Sequence, residues 1–173
     1  MENIIVHIDE TEAFARALGF LEEIGIPVSF DSIEGNSFLP GICIEGGGIV
    51  IDKIKMKYPG DILHEAGHIA VVPADERSGL SDDNIAFRAN KEAEEMMSIA
   101  WSYAVCVHLG IDASFVFHDH GYSEGGSSIT DNFKKGHYFG VPMLQWAGMT
   151  LDEKNAAAVG QPAYPVMLQW LRN

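Results

Sequence analysis

Asp61-Ile62-Leu63-His64-Glu65-Ala66-Gly67-His68-Ile69-Ala70-Val71 holds a His-Glu-x-x-His pattern inside an apolar run. As a helix, this stretch puts His64 and His68 one turn apart on the same face. Two neutral imidazoles at that separation can bind one Zn2+ from a rigid base. Glu65, beside them, is placed to take a proton from an activated water. Ile62, Leu63, Ala66, Ile69 and Ala70 supply the buried surface, and Asp61 is placed to hold the helix start. The spacing therefore predicts a metal-dependent hydrolase.

Upstream, Thr11 to Ile24 reads as an amphipathic helix on Phe14, Leu18 and Leu21, stopped by Gly25 and Pro27. Val28 to Ile33 alternates like a strand, and Gly35, Asn36, Pro40 and Gly41 mark a turn. Ile42 to Glu45 and Ile49 to Asp52 flank three glycines as a hairpin, and Tyr58-Pro59-Gly60 breaks the chain before the metal helix. Downstream, a loop is expected over Pro73 to Asn84. A long helix then runs from Asp83 or Asn84 to Leu109, closed by Gly110. Shorter helices are expected at Thr130 to Lys135, Val141 to Ala147 and Pro165 to Leu171. The sum is one α+β domain over residues 1–173, with a small sheet packed on the His-Glu-x-x-His helix and a second helix bearing a ligand.

Composition narrows the partners. With 173 residues, 47% apolar and 21% charged, the chain is long enough to bury a core. Its net charge of -14 would be repelled by nucleic-acid phosphates and by anionic membranes, so neither is expected as a partner. Met1 to His7 lacks a basic start and a long apolar run, and no span of about 18 apolar residues follows. The cytoplasm is the expected compartment. Cys43 and Cys106 have no C-x-x-C partner and read as free thiols. Trp101, Trp146 and Trp170 are assigned to the core, and oligomeric state is left open.

A catalytic zinc takes three protein ligands and keeps one position for water. The second histidine pattern of a metzincin is absent, because Val71 and Ala74 stand where it would fall. The remaining candidates are Asp75 and Glu76 in the expected loop, and Glu92, Glu94 and Glu95 near the start of the long helix. A helix holds a carboxylate more firmly than a loop does. Glu95 continues the buried stripe through Ser98 and Ile99, Glu92 lies one turn earlier on a similar face, and Glu94 falls on the solvated side. Glu95 is the expected third ligand, with Glu92 and Glu94 as its alternatives.

The chain here resembles the gluzincin metallopeptidases, in particular the minigluzincins and the ImmA/IrrE-type family. Their second motif runs Glu-x-x-Ala-x-x-aromatic-Ala. Glu95-Met-Met-Ser98-Ile-Ala-Trp101-Ser102 is similar to it with two small-for-small changes. That register also picks out Glu95. Gly48 to Asp52 is similar to the strand that lines the substrate cleft in those enzymes. The likeness spans residues 40 to 106, and the usual Asn of the second motif is replaced by Ile99. It implies a zinc peptidase acting on a peptide or protein substrate, with His64, His68 and Glu95 on Zn2+ and Glu65 as general base.

The oxyanion of such a reaction needs a further donor. His118, His120, Tyr122, His137 and Tyr138 are the candidates, and His118 is favoured because it follows the apolar run Phe115 to Phe117. Gly121 to Ser128 lacks the residues of a phosphate loop and reads as a flap or surface loop. The competing class is a non-catalytic zinc protein, whose site is structural or mediates a partner contact. Such a site has no need of Glu65.

Overall fold

A computed structural model of the chain describes residues 8–35, 37–122 and 125–173. Asn36 in the expected turn and Ser123 and Glu124 in the expected flap fall outside them, as does the Met1 to His7 segment. The architecture is α+β, with one continuous hydrophobic core. Helix α1 (Glu10–Ile24) is capped by the Asp9 carboxylate, which accepts from the Glu12 N–H at 2.8 Å, and it stops at Gly25 in the left-handed conformation. Strands β1 (Val28–Phe30), β2 (Ile42–Glu45) and β3 (Gly48–Ile51) form a sheet in the order β1-β3-β2, parallel then antiparallel. The first strand is shorter than expected. The strand at Gly48 is central, with β1 and β2 paired to its two sides, and therefore offers no free edge to a substrate.

Helix α2 (Asp61–Ala70) carries the His-Glu-x-x-His pattern and packs on both the sheet and α5 (Lys91–Leu109). Every residue of α5 from Met97 to Cys106 is buried, so this helix is the axis of the core. Small residues let the two helices approach. A Cβ added at Gly67 would stand 3.0–3.1 Å from the Ser98 backbone and side chain. The buried Ser102 hydroxyl is 2.7 Å from the Ser98 carbonyl on its own helix and 3.1 Å from the Leu63 carbonyl on α2. Gly60, just before α2, has no room for any side chain, since a Cβ there would overlap the Phe115 carbonyl. That close approach brings the segment after the short 3-10 turn (Ala113–Phe115) against the start of α2.

The expected loop after Val71 holds two single turns, α3 (Ala74–Arg77) and α4 (Asp82–Ile85). The long helix starts at Lys91, not near Asn84. Ser81 and Asn84 close a capping box around one turn only, and the chain then bends so that Arg88 folds back onto Glu76 and Glu94. Helices α6 (Gly126–Lys134), α7 (Val141–Trp146) and α8 (Glu153–Val159) follow. The helix expected at Pro165 to Leu171 is absent. Thr150 bridges to Met167 instead, and the helix lies earlier, between the Asp152 cap and Gly160. Trp101 is in the core as expected, whereas Trp146 is 78% exposed under the Arg172 guanidinium. Cys43 and Cys106 are free. Among the described residues no helix is long and apolar enough to cross a membrane.

Two arginines close the C-terminal end of α2. Arg77 donates to the carbonyls of Ile69 at 3.2 Å, Val72 at 3.3 Å and Arg172. Arg172 donates its backbone N–H to Ala70 at 2.9 Å and its guanidinium to Val71 at 3.3 Å. Cations here meet the negative end of the helix dipole. Arg77→Ala should lower the unfolding free energy in urea by about 2 kcal/mol. Arg77→Lys should recover only part of it, because one ammonium cannot span the same carbonyls.

Candidate metal centre

Helix periodicity and the α2–α5 contact bring His64, His68 and Glu95 together. Among the described residues they are the one group of three or more histidine, cysteine and carboxylate side chains close enough to share an ion. The two Nε2 atoms are 3.2 Å apart. Glu95 places one carboxylate oxygen 3.1 Å from His68 Nε2 and the other 3.5 Å from His64 Nε2. A tetrahedral ion with bonds of about 2.0–2.1 Å has ligand-to-ligand edges of about 3.3 Å. The Nε2–Nε2 separation matches that figure, and each Glu95 oxygen lies within a few tenths of an ångström of it from one of the two histidines. Two nitrogens and a carboxylate suit a first-row metal better than the all-oxygen sets of Mg2+ or Ca2+.

The far sides of both rings are also held. The Ser98 hydroxyl donates to the Glu94 carbonyl at 2.8 Å and lies 3.3 Å from His68 Nδ1. With its proton committed, that oxygen accepts from His68 Nδ1–H, which turns Nε2 toward the centre. Tyr122 Oη stands 3.4 Å from His64 Nδ1 and serves the second ring in the same way. Neither role was visible in sequence. Ser98 stood only for a small residue in a motif, and Tyr122 was one of several donors.

The carboxylates of the α5 start have separate fates. Glu94, expected on the solvated side, is buried, and both its oxygens hold Arg88 at 2.7 and 2.8 Å. Burial of that carboxylate is compensated by a two-pronged ion pair, which sequence periodicity could not foresee because Arg88 precedes the helix. Glu92 lines the cavity outside the ligand cluster, and Glu76 pairs with Arg88. Asp61 does not cap α2, whose Gly60 start has no side-chain cap. Its carboxylate instead lies 2.6 Å from His118 Nε2. His118 stacks on Tyr58 at 4.4 Å, with its Nδ1 buried. The residues lining the cavity include Asp61 and Tyr122 but not His118, whose Nε2 is held by Asp61. His120 also stacks on Tyr58, Tyr138 packs on Phe133 and Tyr164, and His137 is exposed.

His64, Glu65, His68, Glu95 and Tyr122 share one cavity of about 640 Å³. Glu65 is buried, and no described residue hydrogen-bonds to its carboxyl. Burial lifts it from 4.5 to about 7, with the charges of Asp82, Asp61 and Glu95 adding to the rise and His68 opposing it. Burial, with the neighbouring His68, pushes His64 down to about 4. Burial alone would lower His68, but its hydrogen bond to Glu95 and the nearby carboxylates raise it. Burial acts against the charged form of Glu95 too, and the two histidines outweigh it, holding Glu95 below its usual range. Burial raises the Tyr122 hydroxyl, so it stays protonated as a donor.

No family model, curated protein or solved structure matches this chain.

In the metal-free protein the folded state keeps the Glu65 proton to about pH 7, while the unfolded chain releases it near 4.5. This group's contribution to stability therefore falls as pH rises across that window and is steady outside it. Glu65→Gln has no such loss. Urea unfolding of the two metal-free proteins should show the variant gaining on the wild type from pH 4.5 to 7.

Proposed function

We propose that this chain is a zinc-dependent hydrolase that cleaves a peptide or amide bond, as the likeness of its two motifs to gluzincin peptidases implies. The observation that carries the reading is the convergence of His64 Nε2, His68 Nε2 and Glu95 at 3.1–3.5 Å, with Glu65 in the same cavity. Zinc held by His64, His68 and Glu95 would supply Lewis acidity and lower the pKa of water toward neutrality.

The chain's own groups do the rest. Glu65, in the same cavity as the three candidate ligands, takes a proton from the water that attacks the carbonyl carbon. It returns that proton to the amine nitrogen as the C–N bond breaks. His64 donates its Nδ1–H to Tyr122, which leaves the Tyr122 hydroxyl proton free to point at the carbonyl oxygen. Asp61, fixed by His118, is a positioning residue at the cavity wall. A purely structural site would have no use for a buried, unbonded carboxyl beside its ligands.

Zinc titration of the metal-free chain should reach about one equivalent, with proton release from His68 and affinity that falls as pH drops. Glu95→Ala should lose most of that affinity, and Ser98→Ala should weaken it about 10- to 100-fold. Zinc that binds equally well to Glu95→Ala would remove Glu95 from the site.

Glu65→Gln should keep its zinc and lose about 10²- to 10⁴-fold in kcat on any peptide or amide that the wild type cleaves. Equal turnover by the two would reject Glu65 as the base. A wild type that holds zinc and cleaves nothing would favour the structural alternative.

A further inference from the structure

The cavity around the metal centre has two kinds of wall. Leu39, Val72, Ile85, Ala86 and Met96 make one side apolar, and Phe38 stands at the same cavity although it is 90% exposed. A phenyl ring held in water beside an apolar recess is placed to cover a bound apolar group. The other wall is acidic. Glu94 is committed to Arg88, Asp61 to His118 and Glu95 to the histidines. Among the described residues Glu92 and Asp82 have no cationic partner, and Lys91, the only Lys or Arg among them that lines the cavity, donates to the Ala86 carbonyl at 3.1 Å. The net charge of -14 sets a field of the same sign. Glu65, buried and unbonded, opens into this space.

The backbone beside the cavity is already occupied. On the outer edge of β2, the Ile44 N–H donates to Asp82 at 2.8 Å and the Ile42 N–H to the Leu39 carbonyl at 3.4 Å. Just beyond the strand, the Gly47 N–H donates to the Leu80 carbonyl at 2.9 Å. Leu39, Asp82 and Leu80 thus take the backbone donors along the edge where an extended chain would add as a further strand. Recognition falls to side chains.

We propose that the cavity takes a short peptide or small amide bearing one large apolar side chain and one cationic group, gripped by side chains and not by strand addition. This rests on the hydrolase reading and names its substrate class.

Calorimetry at low salt tests it, on Glu65→Gln, which cannot turn the probe over, and on metal-free wild type. The probes are N-acetyl-Phe-Arg-amide, N-acetyl-Phe-Glu-amide and N-acetyl-Ala-Arg-amide. The Phe-Arg probe should bind roughly tenfold tighter than either of the others, with the charge preference fading as salt is added. Glu92→Lys should erase the preference for Arg over Glu, and Phe38→Ala should weaken both Phe probes. Both side chains are exposed, so the fold tolerates the changes. A decapeptide with Phe-Arg at its centre should bind no tighter than the short probe. Equal binding of the Arg and Glu probes, no binding, an unchanged preference in Glu92→Lys, or a much tighter decapeptide would each overturn the proposal. The predicted preference without hydrolysis by zinc-loaded wild type would keep this inference and remove the hydrolase. Hydrolysis without the preference would do the reverse.

Discussion

The contact between α2 and α5 is the constraint on which the rest depends. Gly67 lets Ser98 come so close that any Cβ there would press on it, and Ser102 sits within hydrogen-bond reach of the Leu63 carbonyl across the same seam. His64 and His68 are on one side of this contact and Glu95 on the other. Their separation is therefore fixed by backbone approach and not by the flexible reach of a glutamate. Ser98 serves both purposes: its backbone defines the approach, and its hydroxyl orients the His68 ring.

Burial then sets up an electrostatic tension that the protein alone only partly relieves. Two imidazoles and two carboxyls crowd one end of the cavity, and desolvation acts against the charged form of each. His68 and Glu95 resolve it as a hydrogen-bonded pair. His64 stays neutral, and Glu65 keeps its proton to about pH 7. A neutral ring and an ionised carboxylate are the forms in which these groups bind a cation, so two of the three candidate ligands already favour it. The Glu94–Arg88 pair next door shows the other solution, in which a buried carboxylate takes a guanidinium across both oxygens.

Periodicity made the axis of this fold legible. His64 and His68 at helical spacing, the glycine hairpin and the Gly110 stop all mark elements that the structure contains. The same signal put Glu95 forward, and the structure brings Glu95 to the histidines. What stayed hidden depends on partners distant in sequence. Glu94 reads as solvated until Arg88 is known to fold back. Asp61 reads as a cap until Phe115 is seen pressed on Gly60, with His118 following. Trp146 reads as core because an indole carries no mark of whether its helix face is covered. Helix α8 did leave a local trace, Asp152 ahead of three alanines and Gly160, a capped turn outweighed by the more apolar segment after Pro165.

The arginine clamp on α2 has a meaning for how the molecule is made. The Val71 carbonyl and the Arg172 guanidinium that satisfies it lie 101 residues apart. Translation at about 5–20 residues per second puts about 5–20 s between their synthesis. Through that interval the Ala70 and Val71 carbonyls at the C-terminal end of α2 lack their native partners. The histidines and Glu95 are synthesised early, within 32 residues of one another. A nascent chain thus carries the whole candidate ligand set before the C-terminal clamp on α2 can form, and an ion captured at that stage would act as a template for the α2–α5 contact.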